Sequence, residues 1–168
     1  KLEYIKGTGA FASGAKQTQK TFREEYVLPY SLIAFYGIIN EKAAEHTRMT
    51  EEDVALLLEG LWNGTKNLIS RSKVGQQPRL LLRVIYREDC FHIGELNRYI
   101  HFDSAKADEE IRHVSDGILN VARLIERLAV EKEKIDRVQY CLDSQLVLSH
   151  DLVEELKKIG MAVEELHF

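Results

Sequence analysis

The chain has 168 residues, of which 45% are hydrophobic and 30% are charged, and its formal net charge is −4 at pH 7. This composition is typical of a folded globular protein and excludes an intrinsically disordered chain, and the length fits one domain with a substantial core. No run approaches the roughly 18 apolar residues of a membrane-spanning helix, and we find no signal peptide. Cys90 and Cys141 are too few for a disulfide framework, so we expect buried free thiols in a cytoplasmic, reducing compartment.

The stretch from Lys1 to Phe22 is rich in glycine, serine, threonine, glutamine and lysine and shows no helical periodicity. Its glycines permit turns, so we expect a hairpin or a mobile excursion. The cations and aromatic rings of this stretch suit single-stranded RNA, because cations neutralise phosphates and rings stack on bases. The alternative is a disordered leader or linker. The candidate RNA-binding residues here are Lys6, Phe11, Lys16, Lys20 and Arg23.

The stretch from Tyr26 to Ile39 is almost continuously apolar and contains several aromatic and β-branched residues. This composition predicts a central β-strand, with Pro29 tolerated near its start. Hydrophobic periodicity does not separate a buried strand from a buried helix in so short a run, so a helix stays the alternative.

A helix with clear boundaries comes next. Thr50-Glu-Glu-Asp53 resembles a capping box with acids in the first turn. Apolar residues then recur at spacings of three and four as far as Ile69, which predicts a helix over residues 50–70. After Pro78, the run from Arg79 to Tyr86 sets cations among aliphatic residues and predicts a strand.

Extended and helical patterns alternate through the rest of the chain. Strands that alternate with helices indicate an α/β or α+β fold with helices packed on a sheet. We predict an extended stretch from Phe91 to Phe102, a long amphipathic helix from Ala107 to Lys134, a short strand from Val138 to Leu142, a capped helix from Ser149 to Ile159 that ends at Gly160, and a last strand from Met161 to Leu166.

The charges are distributed unevenly along the chain. Residues 1–87 carry 13 basic and 9 acidic residues and have a net charge of +4, whereas residues 88–168 carry 10 and 18 and have a net charge of −8. A basic face and an acidic face on one subunit suit head-to-tail packing of copies. The alternative is that these charges only keep the protein soluble.

The segment from Gly60 to Arg87, which we call the basic segment, contains six basic residues and no acid. In a protein of negative net charge, this local reversal of sign indicates a polyanion partner. Phosphate binding needs cations together with amide and hydroxyl donors, and Lys66 and Ser70 are spaced to share a helix face. The alternative is a solvated helix end whose cations face the negative C-terminal dipole. The candidate residues are Lys66, Asn67, Ser70, Arg71, Lys73, Gln76 and Arg79.

No pattern in the sequence points to catalysis or to a cofactor. The run from Lys6 to Ala10 lacks the Gly-Lys-Ser/Thr ending of a phosphate-binding loop, and no hydrolase or zinc-protease motif occurs. Cys90 and His92 are a weak metal signal, and a histidine satisfied within a strand is the more usual case. We therefore predict a non-enzymatic protein without a metal or a cofactor.

Four segments of the sequence together resemble the CRISPR-associated "Cas seven" family, and their residues look most like its subtype I-B branch. They lie between residues 7 and 84, and the remainder of the chain fits the family only in general character. The segments are Gly7-Thr-Gly-Ala-Phe11, the run from Phe22 to Asn40, the run from Leu61 to Lys73, and Pro78-Arg-Leu-Leu-Leu-Arg-Val84.

The resemblance implies a partial or modified RNA-recognition-motif (ferredoxin-like) core and a glycine-rich thumb-like hairpin that reaches a neighbouring subunit. The chain would then be one domain, residues 1–168, with the thumb-like segment at 1–25, a β-α-β core at 26–102 and a helical C-terminal region with short strands at 103–168. Its function would be that of a non-catalytic scaffold that binds guide RNA in a type I antiviral interference complex (Cascade). The implied partners are the guide RNA, target DNA paired to the guide, copies of this chain arranged head-to-tail, and other Cascade subunits.

The chain departs from the family in length, since members are about twice as long and the first strand and helix of their core have no counterpart here. An RNA-recognition-like sheet without these elements is expected to have an exposed edge and an incomplete core. Two other functions stay open. One is an RNA-cleaving backbone subunit, as in type III complexes, which needs an acid near the RNA. The other is a structural module whose basic segment binds the acidic half of a neighbour.

Overall fold

The computed structural model describes residues 3–9, 21–70 and 73–168, and it describes the backbone alone for residues 3–9 and 21–27. The described residues form a mixture of strands and helices, which confirms the predicted α+β class. In chain order the elements are β1 (Glu3–Gly9), β2 (Thr21–Val27), α1 (Glu41–Thr47), α2 (Glu51–Lys66), β3 (Leu80–Tyr86), β4 (His101–Asp103), β5 (Ile118–Asn120), α3 (Ala122–Val130), β6 (Ile135–Leu142), α4 (Leu152–Lys158) and β7 (Ala162–Glu165). Short 3₁₀ turns occupy Leu96–Tyr99, Asp108–Glu110, Val114–Asp116 and Lys132–Lys134.

The strands form three small sheets. β1 and β2 pair as an antiparallel hairpin, as expected for the glycine-rich N-terminal stretch. The central sheet has the order β3-β6-β7, in which β6 runs antiparallel to β3 and parallel to β7. β4 and β5 form the third, antiparallel pair. The finer expectation of an RNA-recognition-motif topology stays a prediction.

The main hydrophobic core lies between α3, α4 and one face of the central sheet. Leu124 and Leu128 of α3, Leu156 of α4 and Val138 of β6 are 0% exposed and belong to one cluster. Burying each such side chain contributes about 1.5–3 kcal/mol. A second cluster around Val114, Leu119, Val121 and Leu146 packs beside β4 and β5.

The other face of the central sheet carries a row of polar side chains that joins it to α2. Arg83, Gln139 and Glu164 are in register across the three strands. Gln139 is only 8% exposed, and its amide accepts from Arg83 Nη1 at 3.1 Å and donates to Glu164 Oε2 at 2.7 Å. Arg83 Nη2 also donates to both carboxylate oxygens of Glu51 at 3.1 Å, so the first turn of α2 is tied to the sheet.

The predicted helix over residues 50–70 is present as α2, but it ends four residues earlier. Its start is the predicted capping box, since Thr50 N donates to Asp53 Oδ2 at 2.8 Å and Asp53 N donates to Thr50 Oγ1 at 3.2 Å. The helix ends at Lys66, where Asn67 caps it. Leu68 and Ile69 continue the apolar spacing without being buried, which is why periodicity placed the end too late. Of the helices in the described part of the chain, none combines the length and apolarity needed to cross a membrane.

The predicted strand from Tyr26 to Ile39 is wrong beyond Val27, and so is its helical alternative. Residues 28–40 have no regular secondary structure, because no neighbouring strand in the described chain bonds to their backbone. Asn40 instead caps the short helix α1 by accepting from Ala43 N at 2.9 Å. The local sequence pattern did not predict α1.

The predicted long helix from Ala107 to Lys134 is also wrong, because only the α3 part of that range is α-helical. Residues 108–110 and 114–116 form 3₁₀ turns, and Ile118–Asn120 pairs with β4 as β5. The predicted extended stretch from Phe91 to Phe102 is likewise interrupted by a 3₁₀ turn before β4. Within residues 107–134, the pairing of β5 with β4 overrode the local apolar spacing.

The predictions near the C-terminus are confirmed with shifted limits. The strands predicted from Arg79, Val138 and Met161 are β3, β6 and β7. The capped helix is α4, but its cap is Asp151, which accepts from Glu154 N at 2.9 Å, whereas Ser149 Oγ accepts from Val121 N at 3.1 Å. Gly160 follows α4 at φ +84°, the left-handed conformation expected of a residue that ends a helix.

Gly117 lies where β5 approaches β4, and we expect it to tolerate no side chain. A Cβ at this position would lie 2.6 Å from both the backbone oxygen of Asp103 and the ring atom Cζ of Phe102. Gly117→Ala is therefore expected to lower the free energy of unfolding by about 1–3 kcal/mol, measured by urea denaturation. The control is Gly60→Ala in α2, where a Cβ meets no atom within 4 Å and should stabilise the helix by up to about 1 kcal/mol. Equal effects of the two substitutions would contradict this reading of the contact.

Asp116 orders the loop before β5 and makes its stability depend on pH. Its carboxylate accepts from Lys106 Nζ at 2.6 Å and from the backbone N–H groups of Arg112 at 2.9 Å and His113 at 3.0 Å. These hydrogen bonds, with that of Lys106 the largest, lower the pKa of Asp116 from 3.8 to about 2.

Because the folded-state pKa is lowered, the stabilisation by Asp116 is complete above its ordinary pKa and is lost as the pH falls through the folded-state value. We expect the stability difference between the wild-type chain and Asp116→Asn to be constant near neutral pH and to shrink between about pH 4 and pH 2. Urea denaturation at a series of pH values measures this difference. A difference that does not change over that range would show that the hydrogen bonds do not act on the ionised carboxylate.

Candidate nucleic-acid interface

The candidate interface begins at the C-terminal end of α2, where side chains donate hydrogen bonds to backbone carbonyls of the last turns. Asn67 donates to Asn63 O through its backbone N–H at 2.9 Å and through Nδ2 at 2.8 Å. Thr65 Oγ1 donates to Leu61 O at 2.7 Å. The helix end is therefore held by its own residues, and one donor of the Asn67 amide is already in use.

Beyond the cap, the chain brings Ser70 and Lys73 together. Ser70 N donates to Lys73 O at 3.4 Å and Lys73 N donates to Ser70 O at 3.3 Å, which forms an isolated antiparallel bridge. The candidate Arg71 falls between them and lies outside the described residues. Gly75 follows at φ +78°, a conformation that L-residues with side chains rarely adopt, so the loop needs a glycine there.

Among the described residues, Lys66 and Lys73 are cations of this region for which no acidic partner is found. Both are exposed, and no carboxylate within the described residues lies within 4.0 Å of either ammonium group. Ser70 is exposed next to Lys73, and Gln76 is half-buried on the way to β3. The expected sharing of a helix face by Lys66 and Ser70 is wrong, because α2 ends at Lys66.

The three arginines at and within β3 are, in contrast, paired with acids or amides from other parts of the chain. Arg79 Nη1 donates to Asp143 Oδ1 at 2.6 Å and to Gln145 Oε1 at 3.1 Å, and its side chain is 16% exposed. Arg83 is held by Glu51 as described above, and Arg87 lies 3.9 Å from Asp136. The reversal of sign in the sequence is therefore largely cancelled in this half of the basic segment.

The N-terminal candidates lie on or next to the hairpin. Lys6 is in β1, in register with Glu24, and Arg23 is in β2, in register with Gly7. Phe11, Lys16 and Lys20 fall between the two strands and lie outside the described residues. The structure thus places Lys6 and Arg23 at adjacent registers of one hairpin.

The two cysteines have different surroundings from those expected. Cys90 is exposed, which contradicts the prediction of a buried thiol, and its backbone N–H donates to Glu41 Oε1 at 2.7 Å. A hydrogen bond with Glu41 raises the pKa of the Cys90 thiol. Cys141 is half-buried in β6. In the described part of the chain, no three His, Cys, Asp or Glu residues come together as metal ligands.

Trp62 is half-buried on α2 and contacts the C-terminal residue. Its ring centroid lies 6.2 Å from that of Phe168, and the two rings are inclined by 34°. This contact fits a structural role for the Trp62 ring rather than base stacking. The sequence contained no signal that Phe168 would be its partner.

By fold and site, the chain is a mixed α+β protein in which two exposed cations, at the end of α2 and on the loop that leads to the central sheet, have no acidic partner among the described residues. A family model described as CRISPR-associated protein Cas7 matches residues 3–122. A protein of Haloferax volcanii named CRISPR-associated protein Cas7 is 32% identical over 148 residues, which is 87% of this chain. The chain belongs to the CRISPR-associated protein Cas7 family, as the four sequence segments indicated. It spans 43% of the length of the Haloferax relative.

The contacts described above predict that the cations differ in what they contribute to stability. Arg79→Ala removes a short hydrogen bond to a carboxylate and is expected to cost about 1.5–3 kcal/mol of unfolding free energy. Lys66→Ala and Lys73→Ala remove exposed, unpaired charges and should change stability by no more than about 0.5 kcal/mol. Urea denaturation of the three variants measures both effects.

A double-mutant cycle serves as the control for Arg79. If the Asp143 pair is responsible, Arg79→Ala and Asp143→Ala should be coupled by about 0.5–3 kcal/mol. Additive effects of the two substitutions would assign the loss to packing of the arginine side chain instead.

Proposed function

We propose that this protein is a non-catalytic scaffold that binds guide RNA through its phosphate backbone in a type I CRISPR interference complex of the I-B kind. The observation that carries the proposal is a pair of exposed cations, Lys66 and Lys73, that have no acidic partner in the described part of the chain and lie in a segment whose sequence contains no acid. In a member of the Cas7 family, a polyanion held by such a segment is most simply the CRISPR RNA.

The donors available suit phosphate better than bases. A lysine ammonium is a compact charge with three donors, and the Ser70 hydroxyl next to Lys73 adds a neutral one. Contacts with phosphate and sugar carry no sequence information directly, so a subunit that uses them accepts any guide sequence. The Asn67 amide and Gln76 would add hydrogen bonds, and Arg71 would add a third charge.

The hairpin of β1 and β2 would supply the second RNA contact. Lys6 and Arg23 lie at adjacent registers of its strands, and Phe11, Lys16 and Lys20 belong to the stretch between them. Proteins that bind unpaired nucleotides commonly combine cations, which contact the phosphates, with aromatic rings, which stack on the bases. We propose that this hairpin acts as the thumb that engages RNA beside a neighbouring copy, with target DNA recruited by pairing to the guide and with other Cascade subunits at the ends.

A scaffold is favoured over an RNA-cleaving subunit by the positions of the acids near the basic segment. An RNA-cleaving subunit of the type III kind would need an acid near the RNA, and the basic segment has none. Asp53 is engaged in the capping box at the opposite end of α2, the helix that leads to the basic segment. Arg83 holds Glu51 in the same turn. Glu59, which directly precedes the segment, is an exposed residue within α2.

The proposal predicts a steep dependence of RNA affinity on salt. For single-stranded RNA, the logarithm of the binding constant should fall by about 0.7 per phosphate contact for each tenfold rise in salt. Lys66→Ala and Lys73→Ala should each reduce this slope by about 0.7, and Arg71→Ala/Lys73→Ala by about twice as much. Fluorescence anisotropy with labelled RNAs of equal length and different sequence measures the slope and tests that affinity is independent of sequence.

Lys158→Ala is the matched control, because it removes the same charge from α4, where Glu154 and Glu155 pair with the lysine at 3.1 and 2.8 Å. It should leave the slope unchanged. A flat salt dependence, or full affinity of the Arg71→Ala/Lys73→Ala variant, would overturn the assignment of the site. Assemblies that persist after nuclease treatment without RNA would favour a structural module, and cleavage of bound target RNA in the presence of a divalent metal would favour the type III-like function.

A further inference from the structure

The burial that fixes α2 lies mainly in its first half. The buried residues of this 16-residue helix are Val54 and Leu58. In the second half, Trp62 is half-buried and makes the ring contact with Phe168. Lys66 is the last residue of the helix and is exposed, so local interactions at the helix end must hold it in place.

The last turn of α2 has a low intrinsic tendency to be helical. Gly64 lies in this turn, and glycine disfavours a helix because it loses more backbone freedom than other residues when it is ordered. Terminal turns also fray, because several of their backbone groups have no partner within the helix. The position of Lys66 therefore depends on whether this turn stays closed.

Asn67 closes this turn with two hydrogen bonds to one carbonyl. Its backbone N–H and its side-chain Nδ2 both donate to Asn63 O, at 2.9 and 2.8 Å. Lysine side chains near the end of a helix commonly bond its last carbonyls, but Asn63 O is already bonded twice. The Asn67 side chain thus fixes the backbone next to Lys66 and leaves the ammonium group of the lysine available for a phosphate.

We propose that Asn67 is a positioning residue for RNA binding. Its side-chain hydrogen bond to Asn63 O keeps the last turn of α2 closed and so holds Lys66 where it contacts a phosphate. This inference rests on the proposed function and adds to it the residue that fixes the lysine. The second hydrogen of the Asn67 amide stays available for the hydrogen bond to RNA proposed above.

The positioning role differs from a direct contact in its effect on the salt dependence of RNA affinity. A neutral hydrogen bond to RNA releases no counterion, so its loss weakens binding by the same factor at every salt concentration. Loss of a lysine–phosphate contact also makes the dependence less steep, by about 0.7 in slope for single-stranded RNA. A side chain that matters only for the stability of the fold leaves the slope unchanged while the chain is folded.

The experiment measures this slope by fluorescence anisotropy for the wild-type chain, Asn67→Ala, Lys66→Ala and the double variant. We expect Asn67→Ala to lower the slope towards that of Lys66→Ala, by up to about 0.7. In the Lys66→Ala background, Asn67→Ala should lower it no further. Amides of residues 63–66 should exchange hydrogen faster in Asn67→Ala, whereas those of β6 should be unaffected, which reports that the rest of the chain stays folded.

Two further variants serve as control and rescue. Thr47 Oγ1 donates to Ala43 O, four residues earlier, at 3.2 Å at the end of α1. Thr47→Ala removes the same kind of hydrogen bond away from Lys66 and should leave the slope unchanged. At Gly64 a Cβ would meet no atom within 4 Å, and alanine favours a closed helical turn. Gly64→Ala added to Asn67→Ala should therefore restore the slope.

An unchanged slope in Asn67→Ala overturns the inference, even if affinity falls equally at all salt concentrations, because the amide then acts on the RNA alone. A lower slope also contradicts it if the effect of Asn67→Ala persists in the Lys66→Ala background or is not reversed by Gly64→Ala. If Lys66→Ala itself leaves the slope unchanged, the proposed function fails and the inference fails with it. The two failures are distinguishable, because the slope of Lys66→Ala is measured independently of Asn67.

Discussion

The fold depends on β6, which has a neighbouring strand on each side in the central sheet, with β3 and β7 at the edges as far as the chain is described. Its Val138 is 0% exposed beneath Leu124 and Leu128 of α3 and Leu156 of α4, so one face of this strand fixes both helices. Its Gln139 points to the other face and is buried there between Arg83 and Glu164. A buried amide of this kind is tolerated because both ends of it are hydrogen-bonded.

The same strand and the residues just after it also organise the charges. Asp136 lies near Arg87, and Asp143, immediately after β6, binds Arg79. The positive first half and the negative second half of the sequence therefore neutralise each other partly within the folded chain. Among the described residues of the basic segment, the cations without an acidic partner lie at the end of α2 and on the loop after it. The candidate interface is therefore shorter than the charge pattern of the sequence suggested.

Elements that are fixed by contacts between nearby residues could be predicted from the sequence. Elements that depend on contacts between residues far apart in the sequence could not. The capping box at Thr50 marks the start of α2, and Gly160 marks the end of α4. Both signals act within a few residues, so they can be recognised in the sequence. The helix predicted over 107–134 failed because Asp116 and β5 draw that range into turns and pairing that no local pattern encodes. Likewise, the partners of Arg79 and Arg83 are 64 and 32 residues away in sequence, so their engagement could not be read from spacing.

The loop between α2 and β3 is fixed at both of its ends, by the Asn67 cap on one side and by the Arg79–Asp143 pair on the other. A loop with anchored ends has already lost much of its conformational freedom on folding. Ordering it on a ligand then costs less entropy than ordering a free tail with the same charges. Arg79 would in this way favour binding through preorganisation, although its guanidinium is turned inward and holds a carboxylate of its own chain.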